Sequence, residues 1–213
     1  MSRPTLRRQT IAALALALVA APLSACGVLG GDEVPEPVAV VDQVTGKTTA
    51  IKLDKGFVGA LEKLKLTPGV QGGAKLQDGS LIFPITGGNV TVFEPGTVSP
   101  YVVGQIQHEN SGLTLSAGGT TVLLSNFNVD PGISKVYGDV SVNGKVAATS
   151  AVLFNLDGRT LKPLESGDGT ATLQGTKVLI SEVAAPLLND TFKTDAVKRG
   201  LLVGVATITV KTK

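Results

Sequence analysis

Cysteine and histidine each occur once in this 213-residue chain, tyrosine twice and tryptophan not at all. A single thiol excludes an intrachain disulfide framework and any multi-thiolate metal site. A single imidazole, His108, leaves histidine-based catalysis one candidate, and no Gly-x-Ser-x-Gly elbow accompanies it. Paired carboxylates for glycoside hydrolysis lack the aromatic platforms that line most sugar sites. Charged residues make up only 17% of the chain and hydrophobic ones 43%, which excludes a disordered polymer. Enzyme activity is not expected.

What is present begins with an address. Arg3, Arg7 and Arg8 give a positive start, and Ile11 to Ala21 is an unbroken apolar run, short for a bilayer span. Leu23-Ser24-Ala25-Cys26 follows, then Gly27, so the only thiol stands in a box of small residues. These features resemble a bacterial lipobox, in which the Cys thiol is joined to diacylglycerol and the chain is cut just before it. The resemblance implies a signal peptide over residues 1–25, lipidation of Cys26, and a mature protein held at the extracytoplasmic face of the cell membrane. Arg7-Arg8 also admits a twin-arginine export signal, although Gln9-Thr10 follow where a stronger match is apolar. Removing the three arginines ahead of Cys26 leaves 16 cations against 17 anions. The mature chain is near −1, and a nucleic-acid partner is not expected. At about 0.8 kcal/mol per buried CH₂, two or three acyl chains anchor firmly. No further apolar run of ~20 residues follows.

Residues 26–45 carry Gly30-Gly31 and Pro35-Glu36-Pro37 and read as a lipid-anchored flexible linker. Residues 46–213 read as one domain. Phe57, Val58, Leu61, Leu64 and Leu66 recur at three- and four-residue spacing, which predicts a helix over 55–66 ended by Thr67-Pro68-Gly69. Strands are predicted over 80–85, 90–94, 101–108, 113–117 and 121–126, with Gly87-Gly88-Asn89, Pro95-Gly96, Ser111-Gly112 and Gly118-Gly119 as turns. Val136, Gly138, Val140 and Val142 alternate with polar residues ahead of Asn143-Gly144, the pair a type I′ hairpin needs, and a strand follows over 146–156. Further strands are predicted over 173–180, interrupted at Gly175, and over 201–210, the latter apolar on both faces and so central. A second helix is predicted over 181–192, capped by Ser181 and weakened by Pro186. Residues 166–169 read as a mobile connection. The fold class is mainly β: an antiparallel sandwich or barrel-like domain with two short helices.

His108 falls at the end of a predicted strand, where the ordinary reading is a turn histidine bonded to local backbone. Tyr101 and Tyr137 lie opposite the valines of their strands and are the aromatic candidates for ligand contact. Asp130 and Asp168 sit beside glycines but lack the alternating acidic ligands of a calcium loop, so both read as turn residues. No metal site is expected.

The order of features, with an early helix, Phe83-Pro84, Gly104-Gln105-Ile106-Gln107-His108, Ser111-Gly112-Leu113-Thr114-Leu115 and Asn189-Asp190-Thr191-Phe192, resembles the haem-transport-associated HtaA-type domain of Gram-positive cell surfaces. The likeness spans roughly Gly46 to Val210. It implies a β-sandwich-like domain with helices, and haem held by a tyrosine supported by a histidine. His108 matches that pattern. The ligand tyrosine belongs to the early helix, and Phe57-Val58-Gly59-Ala60-Leu61-Glu62 contains none. The expected function is therefore a non-catalytic envelope binding or interaction module without cofactor. The alternatives are haem binding through His108, with Tyr101 or Tyr137, and carriage of a lipid or other apolar ligand. Replacing Cys26 with Ser is expected to leave the protein unprocessed or to move it out of the membrane fraction. Correctly cleaved Cys26→Ser protein that still sediments with membranes would contradict lipidation there.

Overall fold

The computed structural model describes residues 34–212; Cys26, the signal peptide 1–25 and the first part of the 26–45 linker lie outside the described residues. Strands β1 (Pro37–Val41) and β2 (Lys47–Leu53) lead to helix α1 (Lys55–Lys63), then β3 (Thr67–Gly72), β4 (Lys75–Gln77), β5 (Ser80–Pro84) and β6 (Gly87–Phe93). Four longer strands follow: β7 (Val102–Ala117), β8 (Thr120–Asp130), β9 (Lys135–Val142) and β10 (Lys145–Asp157). The chain closes with β11 (Glu165–Gly167), β12 (Thr170–Ile180), helix α2 (Ala184–Phe192) and β13 (Leu202–Lys211). The strands form one antiparallel sheet in the order β1-β6-β7-β8-β9-β10-β12-β13-β2-β5-β4, with β3 added to β7 and β11 to β12. The path curls until its distant parts meet. Beyond the end of β5, Thr86 donates its amide to Gln107 O at 2.8 Å, and His108 of β7 reaches Thr49 of β2. This is the antiparallel, sandwich-like β-domain with two helices that the alternation predicts.

Several local expectations change. Ser111-Gly112 is not a turn: residues 101–108 and 113–117 belong to the single 16-residue β7. Gly87-Gly88-Asn89 opens β6 instead of separating strands. The first helix stops at Lys63, with Leu64 as its C-cap and Lys65 at φ 56°, short of the expected 55–66, and Thr67-Pro68-Gly69 opens β3 instead of ending the helix. Part of the expected linker is built into the domain, because Pro37–Val41 pairs with β6 and Val44 is buried. Residues 166–169 form a hairpin whose Asp168 and Gly169 both have positive φ, not a loose connection. Ser181 does cap α2, accepting from Ala184 N at 2.9 Å, and Pro186 sits in the first turn, where its missing N–H costs nothing. Central β13 lies between β12 and β2 as expected.

The fold turns on a row of bulges. Asn110 in β7, Asn126 in β8 and Ser150 in β10 all have φ near +50°. The pairing slips beside each, between His108 and Gly112, between Ser125 and Asn128, and between Ala148 and Ala151. An extra residue bends a strand and increases its twist. Here the bends align across neighbouring strands, so the sheet folds along one line. Asp139 of unbulged β9 ties them together. Its Oδ1 accepts from Ser150 N at 3.0 Å, its Oδ2 accepts from Asn126 Nδ2 at 2.9 Å, and Asn126 Oδ1 accepts from Asn110 N at 3.1 Å. Inside the bend Gly138 is buried, and a Cβ there would stand 2.7 Å from Leu153 Cδ1. Only glycine fits that crossing.

On one side of the bend the interior is filled. Phe57 and Leu61 of α1 and Leu188 of α2 pack against Leu113, Leu115 and Leu124, leaving a void of only about 30 Å³. On the other side neither helix of the described residues inserts. Asp139→Ala is expected to lower stability by about 2 kcal/mol, two charge-assisted hydrogen bonds discounted for partial exposure. Urea denaturation checks it, and a loss below about 0.5 kcal/mol would remove Asp139 from the bend.

Candidate functional site

The unfilled side of the fold encloses a cavity of about 470 Å³. Its walls come from inward positions that the period-2 alternation dictates, Ile106 on β7, Phe127 and Val129 on β8, Val136 on β9, and Ala206 and Ile208 on β13, and from Val203, which the register slip in β13 brings to the same face. Ile51 of β2 and Leu81 and Phe83 of β5 close the far wall. Loops line the mouth with Pro100, Tyr101, Pro131, Ser134, Arg159 and Leu161. Ligand sites commonly fall between 300 and about 1,000 Å³ and are apolar with a few polar groups, and this cavity has that size and character.

The deep polar group is His108, only 2% exposed. Its Nε2 lies 2.9 Å from Thr49 Oγ1, and its ring stacks on Phe83 with centroids 6.2 Å apart and planes 13° from parallel. Phe127 meets Phe83 edge-on at 5.1 Å. Nδ1 is enclosed and has no partner among the described residues. Burial without a compensating anion pushes the imidazole down to about 4, so it is neutral at pH 7. The expected turn histidine is thus a mid-strand, core-facing one whose partner lies 59 residues earlier.

Tyr101 also lines the cavity, but at the mouth. Val102 to His108 is six strand steps, about 20 Å along β7, so phenol and imidazole sit at opposite ends. Tyr137 is not in the cavity. It lies between the inward Val136 and Gly138, on the other face of β9. Arg159 donates to both carboxylate oxygens of Asp157, at 2.9 and 2.7 Å, and holds that carboxyl well below the ordinary range. Asp130 is a turn residue, its Oδ1 accepting from Ile133 N. Thr49 was not singled out by sequence. The alternation in Lys47-Thr48-Thr49-Ala50-Ile51-Lys52-Leu53 signals a strand, but nothing local names its partner.

Residues that hold haem iron must present a donor to an open coordination position. Here the two tyrosines and the histidine do not converge, Nε2 is engaged by Thr49, and Nδ1 is enclosed. The early helix, where the resemblance implies a ligand tyrosine, turns Phe57 and Leu61 to the filled side instead. A tyrosine–histidine haem site does not fit these residues.

No family model matches the sequence, and no curated protein sequence does. Among solved structures the chain is similar to the C-terminal domain of HtaA from Corynebacterium glutamicum, with 12% identity and a TM-score of 0.54, over 79% of this chain and 98% of that one. It is also similar to a domain-swapped dimer of a histidine-to-alanine variant of the same domain, with 12% identity and a TM-score of 0.47, over 74% and 91% of the two chains. The fold is HtaA-like.

Because the folded-state pKa of His108 lies below its ordinary value, the stabilisation from keeping it neutral is complete above about pH 6.5 and is lost as pH falls toward 4. At about 1.4 kcal/mol per unit this amounts to about 3 kcal/mol. Urea midpoints are expected to fall across that window, and His108→Phe is expected to flatten the fall. Equal slopes in the two proteins would contradict the neutral buried imidazole.

Proposed function

We propose that this protein is a non-catalytic binding module, tethered outside the cell membrane through a lipid on Cys26, whose cavity takes up a largely apolar small molecule. The observation that carries this reading is the cavity of about 470 Å³ walled by Ile, Leu, Val and Phe. By the scaling for voids left in apolar cores, about 24 cal/mol per Å³, filling it is worth up to about 11 kcal/mol. That is as large as the stability of a typical domain. Water is a poor filler. About 15 molecules would occupy the volume at liquid density, each wanting two to four polar partners, and the deep interior offers chiefly Thr49 and His108. An elongated apolar ligand meets the walls at no such cost.

The HtaA-like fold makes haem the second ligand to try, with His108 the sole imidazole. Protein purified under native conditions and examined by mass spectrometry is expected to carry a co-purifying apolar molecule. Ala206→Phe, which fills the cavity from β13, is expected to weaken binding of cis-parinaric acid at least tenfold without unfolding the domain. A haemin titration with a saturable Soret band that disappears in His108→Ala would transfer the conclusion to haem. Absence of both ligands would leave only a protein-interaction role.

A further inference from the structure

The strand register places the cavity mouth and the point where the chain enters the domain at the same end. Pro37, the first residue of β1, pairs with Phe93, the last of β6. The chain then runs through residues 94–101, whose Ser99, Pro100 and Tyr101 line the mouth. The turn between β8 and β9 and the segment after β10 stand at that same end and contribute Pro131, Ser134 and Arg159. Large apolar side chains face solvent there. Ile133, at the tip of the β8–β9 turn, is 56% exposed, and Val38, one residue into β1, is 53% exposed. The opposite end of the long strands finishes in the turns Gly118-Gly119 and Asn143-Gly144.

The length of the tether gives this placement its consequence. Eleven residue steps separate Cys26 from Pro37, a contour of at most about 39 Å. A domain of this size is about 40 Å across. To rest its far end on the membrane, the tether would have to run fully extended along the whole domain. Resting the mouth end there needs almost none of that reach.

We infer that the mouth of the cavity faces the bilayer and that its ligand is a membrane lipid, which passes between bilayer and cavity without crossing water. This deepens the binding reading above and rests on it and on the anchor at Cys26. Ile133 and Val38 dip into the headgroup region, where each apolar side chain adds to binding already secured by the acyl chains. A long-chain lipid leaves the bilayer tail-first through the ring of Pro100, Tyr101, Pro131 and Leu161. Its tail runs between Phe127 and Val203 toward Phe83, and its polar end stays near the mouth, where Ser99, Tyr101, Ser134 and Arg159 offer polar groups, whereas the deep His108–Thr49 pair is uncharged and already bonds through Nε2 and Oγ1.

The single native cysteine makes the test direct, because acylation leaves an introduced cysteine as the only free thiol. Acylated protein carrying Ile133→Cys or Val146→Cys, labelled with an environment-sensitive nitrobenzoxadiazole dye, is reconstituted on equimolar phosphatidylcholine–phosphatidylglycerol vesicles. Val146 is 70% exposed at the far end, beside the Asn143-Gly144 hairpin, and serves as the control. The label at 133 is expected to shift to the blue and gain at least twofold in intensity, while the label at 146 keeps its aqueous spectrum. In parallel, cis-parinaric acid preloaded in the vesicles is expected to reach the cavity of the wild type, and Ile133→Asp to slow that transfer at least fivefold with unchanged affinity for the free probe. A label at 133 that stays in water, or one at 146 that shifts instead, overturns the orientation even if the free probe binds. A label at 133 that shifts while no probe binds in solution upholds the orientation and overturns the binding reading. Protein found without acyl chains at Cys26 overturns the orientation, while the binding reading stands or falls on the free probe.

Discussion

The architecture depends on holding three bulged strands in one line. Asn110, Asn126 and Ser150 each add a left-handed residue to their strands, and a bulge left to itself merely kinks its own strand. The carboxylate of Asp139 reaches the bulges on either side, and Asn126 passes the connection on to Asn110. Three local irregularities become a single fold line, and the sheet turns over on itself there.

Everything functional follows from the two unequal halves this creates. Beyond the bend, the apolar faces of α1 and α2 supply the third dimension of a packed core, and almost no space remains. Before the bend neither α1 nor α2 enters between the strands, and the space they leave is the cavity of about 470 Å³. The few polar groups at the bottom are uncharged, and only His108 Nδ1 is left without a partner among the described residues. Thr49 and His108 bond to each other, and burial keeps the imidazole uncharged, so no ionic group waits for a partner at the bottom. The composition matches this interior: one histidine, no tryptophan, few charges and many β-branched residues.

The sequence was most legible where a signal is local. Alternation through Val136, Gly138, Val140 and Val142, the Asn143-Gly144 turn, the Ser181 cap and the amphipathic run from Lys55 each depend on near neighbours, and each is found in the structure. Ser111-Gly112 misled because a glycine beside a polar residue marks a turn and a bulge equally well. What separates the two is whether the chain reverses, which only cross-strand partners decide. The linker misled for a similar reason. Pro35-Glu36-Pro37 does look like a tether, yet Pro37–Val41 lies at a sheet edge, where a proline is tolerated. The cavity was least legible, since a hollow is defined by the absence of a filling side chain, and no residue announces that. His108 and Tyr101 both line the cavity, a pairing that no local signal in the sequence gives, and their separation at its two ends belongs to the topology.

Likeness to the HtaA C-terminal domain at 12% identity fits this division of labour. Such a fold can persist while its interior is relined, because bend and strand order rest on a few polar residues and glycines, whereas the cavity needs only apolar volume of the right shape. The decisive measurement is the electron density inside the cavity of protein purified from its native envelope. Continuous, elongated density running from Tyr101 toward Phe83 is the expected result. Isolated water peaks, or walls collapsed onto one another, would contradict a cavity built to hold an apolar guest.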